Sequence, residues 1–324
     1  MRIGVLDVGS NSAHLKVMDV HPGRPLVGVA TVKHPTRLAE AIARDGTVAE
    51  RAVCRLAAAV REAVAAAEDQ GVDELVAFAT SAVRDAANRE AILTRVEAAT
   101  GVRLKFLTGP DEARLTFLAA RSWYGWSAGR LLLADIGGGS LEVAYGDGEE
   151  PALALSLPLG AGRLTRELLP DDPPRRKHVR RLRARVREEL GEAMAGVAAE
   201  LDGRPPLRPV ATSKTFTQLA RLTGAPRYKE GPYVRRTLEL ERLREQIPVL
   251  SRLDRLSRAK LRGVSRPRAH QILAGAVVAE SLMTVLRLER LDICPWALRE
   301  GIVTRHLQAM TASALEAGTL GSVA

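Results

Sequence analysis

Aromatic side chains are scarce in this chain, with four Phe, four Tyr and three Trp making up 3% of 324 residues. Any core must therefore rest on Leu, Val, Ile and Ala. Cysteine is rarer still: Cys54 and Cys294 lie far apart and match no zinc or redox spacing, which points to buried, reduced thiols in a reducing compartment. The six histidines show no metal-ligand spacing, which argues against a zinc enzyme. No export signal opens the sequence, because Arg2 to Leu6 already reads as a strand. The longest apolar stretch, Ile272 to Leu286, is interrupted by Glu280 and is too short to span a bilayer. These absences lead to the expectation of a cytoplasmic protein with no membrane partner.

What is present is apolar material for two cores. Hydrophobic residues are 46% of the chain, and the length suits two domains. The formal charge of +10 is uneven: residues 1–124 carry 16 Lys and Arg against 15 Asp and Glu, and the remainder 32 against 23. The second part is thus expected to attract or hold something anionic.

Ile3–Leu6 and Leu15–Val20 read as strands around the polar turn Asp7-Val-Gly-Ser-Asn-Ser12. Helical periodicity over Ala49–Ala67 gives way to a strand at Val72–Thr80. A helix is expected over Asn88–Ala99, an extended segment over Arg103–Thr108, and a helix from Asp111 to about Ser122. The pattern then restarts. Strand Leu131–Ala134, turn Asp135-Ile-Gly-Gly-Gly-Ser140 and strand Leu141–Tyr145 superimpose on the first hairpin at an offset of 128 residues, Asp7 on Asp135, Gly9 on Gly137 and Ser12 on Ser140. We read this as a duplicated domain. Further on come Gly160-Ala-Gly-Arg163 before a helix, a basic helix over Arg175–Leu190, a Pro-broken stretch Gly203–Pro209, and a short strand Val210–Ala211 feeding a helix near Ser213. The remainder reads as mainly helical, with a weakly periodic tail.

Three consecutive glycines let backbone approach a ligand closely, and successive N–H groups form a nest for phosphate oxygens. Gly137, Gly138, Gly139 and Ser140 are candidates on that ground. Asp135 at the strand end, with Glu142 on the next strand, could hold Mg2+. The first turn repeats the logic with Gly9, Ser10, Asn11 and Ser12 beside Asp7. An ordinary tight hairpin capped by Asp is the bland alternative for either turn. Ser213 and Lys214 sit at an expected helix N-terminus, which favours an anion but equally suits a plain cap. A carboxylate opening a helix, as Glu112 does, is a reasonable general base and also a common dipole-favoured acid. Arg176, Lys177, Arg180 and Arg181 belong to a basic run without interleaved aromatics, either a solvated face or a polyphosphate-steering surface.

Asp7-Val-Gly-Ser-Asn-Ser12 with His14, Ala79-Thr-Ser-Ala-Val-Arg84, Thr108-Gly-Pro-Asp-Glu-Ala-Arg-Leu115 and Asp135-Ile-Gly-Gly-Gly-Ser-Leu-Glu142 occur in this order. Together they resemble the exopolyphosphatase / guanosine pentaphosphate phosphatase (Ppx/GppA) family of the sugar kinase–actin–Hsp70 superfamily. The resemblance extends to Ala211-Thr-Ser-Lys-Thr215 and Leu298-Arg-Glu-Gly-Ile302, and covers about residues 1–305.

The resemblance implies an α/β fold of two actin-like (ribonuclease H-like) domains with mixed sheets flanked by helices and an active site in the interdomain cleft. The domains are expected at 1–124 and 125–305, with a tail at 306–324, the first domain being allowed to take back a helix after about 305. Mg2+ or Mn2+ near Asp135 and Glu142, Glu112 as the base activating water, and Arg84 on phosphate are implied in the same way. The function so implied is hydrolysis of the terminal phosphate of inorganic polyphosphate. Short chains are expected, because many relatives continue into further helical domains. A guanosine pentaphosphate phosphatase with the same chemistry is one alternative, and a non-catalytic polyanion-binding module is another. Nucleic acid is a poor partner on this reading, and a homodimer is allowed. His14 reads as structural, and His270 stands where relatives often carry an acid, a departure that touches local cleft chemistry.

Overall fold

The computed structural model describes residues 1–21, 23–24, 26–43, 45–201 and 207–316. They form two compact units, Met1–Thr108 with the chain from Leu298 onward, and Gly109–Ala297.

The first unit opens with β1 (Arg2–Val8), β2 (Ser12–Asp19) and β3 (Val27–Pro35), followed by α1 (Glu50–Asp69), β4 (Glu74–Ala79), α2 (Ser81–Arg84), α3 (Arg89–Thr100) and β5 (Lys105–Phe106). Its sheet runs β3-β2-β1-β4-β5, antiparallel along the meander and parallel from β1 to β4 to β5. α1 buries Ala52, Val53, Leu56, Val60, Ala63 and Ala67, a stripe spaced at helical intervals. Its alanines let the helix lie close to the sheet, so the core closes with few aromatics.

The second unit carries α4 (Gly109–Tyr124), β6 (Arg130–Ile136), β7 (Leu141–Gly146), β8 (Leu153–Leu157), α5 (Ala161–Leu168), α6 (Arg176–Leu201), β9 (Leu207–Thr212), α7 (Ser213–Leu222), β10 (Thr237–Glu239), α8 (Leu240–Arg252), α9 (Arg255–Arg258), α10 (Ile272–Val285) and β11 (Arg290–Ile293). Its sheet order is β10-β11-β9-β6-β7-β8. Alternation along β6 sends Leu131 and Leu133 to a core with Phe117 of α4, and Leu132, Ala134 and Ile136 to the larger core on the opposite face. α10 runs through that larger core, buried from Ile272 to Met283. Finally, α11 (Leu298–Glu316) packs back on β1 of the first unit.

The second sheet repeats the first strand for strand: β8-β7-β6-β9-β11 follows the order and directions of β3-β2-β1-β4-β5, with β10 added at the edge. The duplication inferred from two turns thus extends over whole sheets. Division of the chain differs from the 1–124, 125–305 reading, since α4 groups with the second unit and the helix returning to the first begins at Leu298. Four strands had gone unread: β3, β8, β10 and β11. The extended segment at 103–108 contracts to Lys105–Phe106, and the basic helix continues to Leu201. The expected tail is helical to Glu316, and residues 317–324 lie outside the described residues, as does 202–206 of the Pro-broken stretch. Cys294 is buried as expected, but Cys54 is exposed on α1 near Glu50 and Arg95, because the buried stripe of that helix runs through its neighbours. No helix among the described residues is long and apolar enough to cross a membrane.

Candidate phosphate site

In the second unit, β6 and β7 are joined by the glycine turn, closed by Gly137 N–H donating to Ser140 O at 2.9 Å. The start of α5 lies directly behind it. Ala161 N–H donates to Gly137 O at 3.0 Å and Arg163 N–H to Gly138 O at 2.9 Å. In a trans peptide the carbonyl and the following N–H point in opposite directions. With the carbonyls of Gly137 and Gly138 fixed toward α5, the N–H groups of Gly138 and Gly139 are directed away from it, as an anion nest requires. The approach is tight enough that a Cβ on Gly160 would collide with Gly139 C and Ser140 N, and one on Gly162 would lie 2.9 Å from Gly138 O.

Beside the turn, Asp135 and Glu142 are direct cross-strand partners, so their side chains share a face at close range. Glu142 is buried, and Ser156 on β8 donates its hydroxyl to Glu142 Oε1 at 2.9 Å. Ser156 also abuts Gly109, where any side chain would clash with it. Gly109 starts α4, whose first turn carries Glu112, 6% exposed. Backbone close approach thus links the base candidate to the carboxylate pair through one serine. On the other side of Asp135, the parallel register pairs it with Thr212, and the chain turns there into Ser213 and Lys214. Ser213 adopts φ 87°, the left-handed region that a non-glycine residue enters at a cost.

No cluster of three or more His, Cys, Asp or Glu side chains capable of holding a metal occurs among the described residues. Two adjoining carboxylates nevertheless suit Mg2+, which keeps several waters and shares its remaining positions with phosphate oxygens. The donor set fits that ion better than one requiring a complete protein cage.

The first unit holds the matching turn. Gly9 N–H donates to Ser12 O at 3.0 Å, Asn11 Nδ2 donates to Ser10 Oγ at 3.1 Å, and the Asn11 carbonyl accepts from Thr36 and Arg37 N–H. Asp7 faces His14 across the strands, as Asp135 faces Glu142. Here the partner is a cation: Arg299 of α11 donates to Asp7 Oδ2 at 3.2 Å and lies 2.7 Å from His14 Nδ1. Next to it, Glu300 forms an ion pair with Lys16. Arg84, at the end of α2, donates to Asp85 Oδ1 and to Leu107 O, both at 3.0 Å.

The predicted residues therefore fall into three groups. Asp135, Gly137–Ser140, Glu142, Glu112, Ser213 and Lys214 belong to the second unit, and Gly9–Ser12 and Arg84 to the first. Arg176, Lys177, Arg180 and Arg181 are exposed in the first turns of α6. Sequence reasoning missed Ser156 and Arg299 and undervalued Gly160. Ser156 carries no motif of its own, whereas Arg299 lies inside the Leu298-Arg-Glu-Gly-Ile302 motif and could have been asked what its charge faces.

Comparison with known proteins gives a consistent picture. The model of the Ppx/GppA phosphatase family matches residues 16–310. Exopolyphosphatase 1 of Mycobacterium tuberculosis is 54% identical over 309 residues, covering 95% of this chain and 89% of that protein. A crystal structure of the Aquifex aeolicus member of the Ppx/GppA family superimposes with a TM-score of 0.78 at 26% identity, over 96% of this chain and 98% of that one. An exopolyphosphatase from Cytophaga hutchinsonii superimposes with a TM-score of 0.83 at 22% identity, over 95% and 98%, and so shares the fold.

Proposed function

The chain belongs to the Ppx/GppA phosphatase family, and on that premise we propose that it is an exopolyphosphatase, a hydrolase that releases orthophosphate from the end of inorganic polyphosphate. The observation that carries the reading is the Asp135–Glu142 pair flanking a glycine turn whose peptides α5 holds in one orientation.

Gly138 and Gly139 N–H groups, with Ser140, bind oxygens of the terminal phosphate, and Ser213 and Lys214 bind from the adjoining strand end. Such preorganised donors require no rearrangement when charge redistributes in the transition state. Mg2+ or Mn2+, when bound, would be held by Asp135 and Glu142 and would neutralise phosphate charge. Ser156 fixes the rotamer of Glu142 through its hydroxyl. Glu112 accepts a proton from the attacking water as the new P–O bond forms, and the P–O bond to the rest of the chain breaks with departure of the shortened polyphosphate. The turn at Gly9–Ser12 is a second phosphate-binding turn of the same build, and Arg84 supports the first unit at its own helix end. Short chains are the proposed substrates and the cytoplasm the proposed compartment.

The test is phosphate release from polyphosphates of defined length, with guanosine pentaphosphate as control in the same preparation. Glu112→Gln is expected to lower kcat by about 10²–10⁴-fold with binding retained. Near-normal turnover would remove Glu112 from the role, and a clear preference for the nucleotide would replace the substrate.

A further inference from the structure

Between α6 and α8 lies a groove of about 860 Å³ that the hydrolytic reading does not use. Five of its eleven lining residues are arginines: Arg175, Arg176, Arg180 and Arg183 from the α6 side, and Arg252 at the end of α8. The rest are proline, valine, isoleucine and serine, with no acid among them. Arg175 has a partner in Asp171 at 3.1 Å, and Arg183 lies 3.8 Å from buried Glu280. Arg176, Arg180 and Arg252 pair with no carboxylate among the described residues, and all three are exposed.

The start of α6 adds to the attraction for an anion. A helix N-terminus carries partial positive charge and favours Asp or Glu in its first turn. α6 has no acid there and instead begins with Arg176 and Lys177. Its first internal bonds run from His178 and Val179 N–H back to Arg175 O, so the amides of Arg176 and Lys177 precede the hydrogen-bonded ladder. Cations, dipole and early amides repel one another and all attract the same ligand. Asp171, just before the helix, offsets part of this charge through Arg175 and His178, each at 3.1 Å, and its carboxylate does not extend to Arg176, Arg180 or Arg252 among the described residues.

We propose that this groove is a second anion site that holds a run of condensed phosphates. Guanidinium forks on both walls match successive phosphate groups bidentately, which a single orthophosphate cannot satisfy. The ligand is recognised as consecutive phosphates, whether an inorganic chain or the phosphate tail of a nucleotide.

Hydrogen exchange followed by mass spectrometry tests the site locally, in metal-chelating buffer that prevents turnover. Tripolyphosphate is expected to slow exchange in residues 174–183 of the wild-type protein. In the Arg176→Ala/Arg180→Ala/Arg252→Ala variant that protection is expected to disappear, and the concentration needed for residual protection to rise at least tenfold. These side chains are exposed, and Arg180→Glu alone should give the same loss if the triple variant expresses poorly. A wild-type protein that shows no protection, or a variant that keeps it, overturns the proposal. Equal protection by orthophosphate overturns the claim of consecutive phosphates, and protection by GTP without tripolyphosphate shows that the base is read instead. Phosphate release by the wild-type protein is measured separately in magnesium buffer: release without protection of residues 174–183 overturns the groove alone, and protection without release overturns the hydrolase reading alone.

Discussion

At Ser213 the backbone is strained, and the proposed function accounts for it by the placing of one side chain. A non-glycine residue in the left-handed region is disfavoured by about 1–2 kcal/mol, and here it stands at φ 87° directly after Thr212, the register partner of Asp135. Among the described residues its hydroxyl receives only a long bond from Phe216 N–H, 3.4 Å, so capping does not account for the strain. Ser213→Gly relieves it, while glycine restores about 0.5–1 kcal/mol of unfolded-state entropy. The expected outcome is a Tm at or above wild type with kcat/KM reduced by tenfold or more, checked by thermal melts and phosphate release on the same preparation. Loss of stability without loss of activity would make Ser213 a helix cap. Arg121 behaves in the opposite way. It is buried, donates to the carbonyls of Gly125, Gly146 and Gly148, and burial pushes its pKa down from the usual arginine value. Arg121→Met strands those acceptors, and a loss of about 2–3 kcal/mol in denaturant unfolding is expected.

Two hairpins of one design have become different chemical elements. Each closes through the same N–H to carbonyl bond and carries an aspartate at the end of its first strand, but position 14 is histidine facing Arg299 whereas position 142 is glutamate held by Ser156. On the proposed function the first arrangement would bind an anion and the second a cation shared with an anion. Gly160 sets how closely α5 can approach the second turn. Its φ of −67° is open to any residue, so the need for glycine is steric, set by the turn backbone lying against its Cα. Gly160→Ala is expected to cost about 1–3 kcal/mol by overpacking and to lower kcat/KM by well over tenfold through displacement of the Gly138 and Gly139 amides. Activity that survives with only a stability loss would show the turn to be free of α5. Sequence alone revealed the turns, because glycine runs, flanking apolar strands and a fixed offset are local signals. It did not reveal β8 or Ser156: Leu153–Leu157 is short and only half-buried, and its serine acquires meaning from pairing with Glu142. Cys54 misled for a related reason, since its burial depends on which face of α1 meets the sheet.

The first unit is discontinuous in the chain, closing only when α11 returns after the whole second unit has been made. Two of its charged groups wait for that return. Lys16 on β2 pairs with Glu300, 3% exposed, and Asp7 in the turn receives Arg299. Residues 1–108 alone would leave Lys16 and Asp7 without these partners and would uncover the surface of β1 that α11 packs against. The second unit runs continuously from Gly109 to Ala297 with its own sheet and both cores. Truncation after Ala297 should therefore produce a chain in which limited proteolysis digests residues 1–108 and spares 109–297. Glu300→Gln separates charge from packing, since α11 remains while the ion pair is broken. Removing one partner of a buried pair costs about 3–5 kcal/mol, and because Lys16 keeps some contact with water the lower end is expected. In hydrogen exchange that cost should fall on β1 and β2, with α10 of the second unit unchanged. Equal loosening of both units by Glu300→Gln would mean that they unfold as one, and the assignment of α11 to the first unit alone would have to be given up.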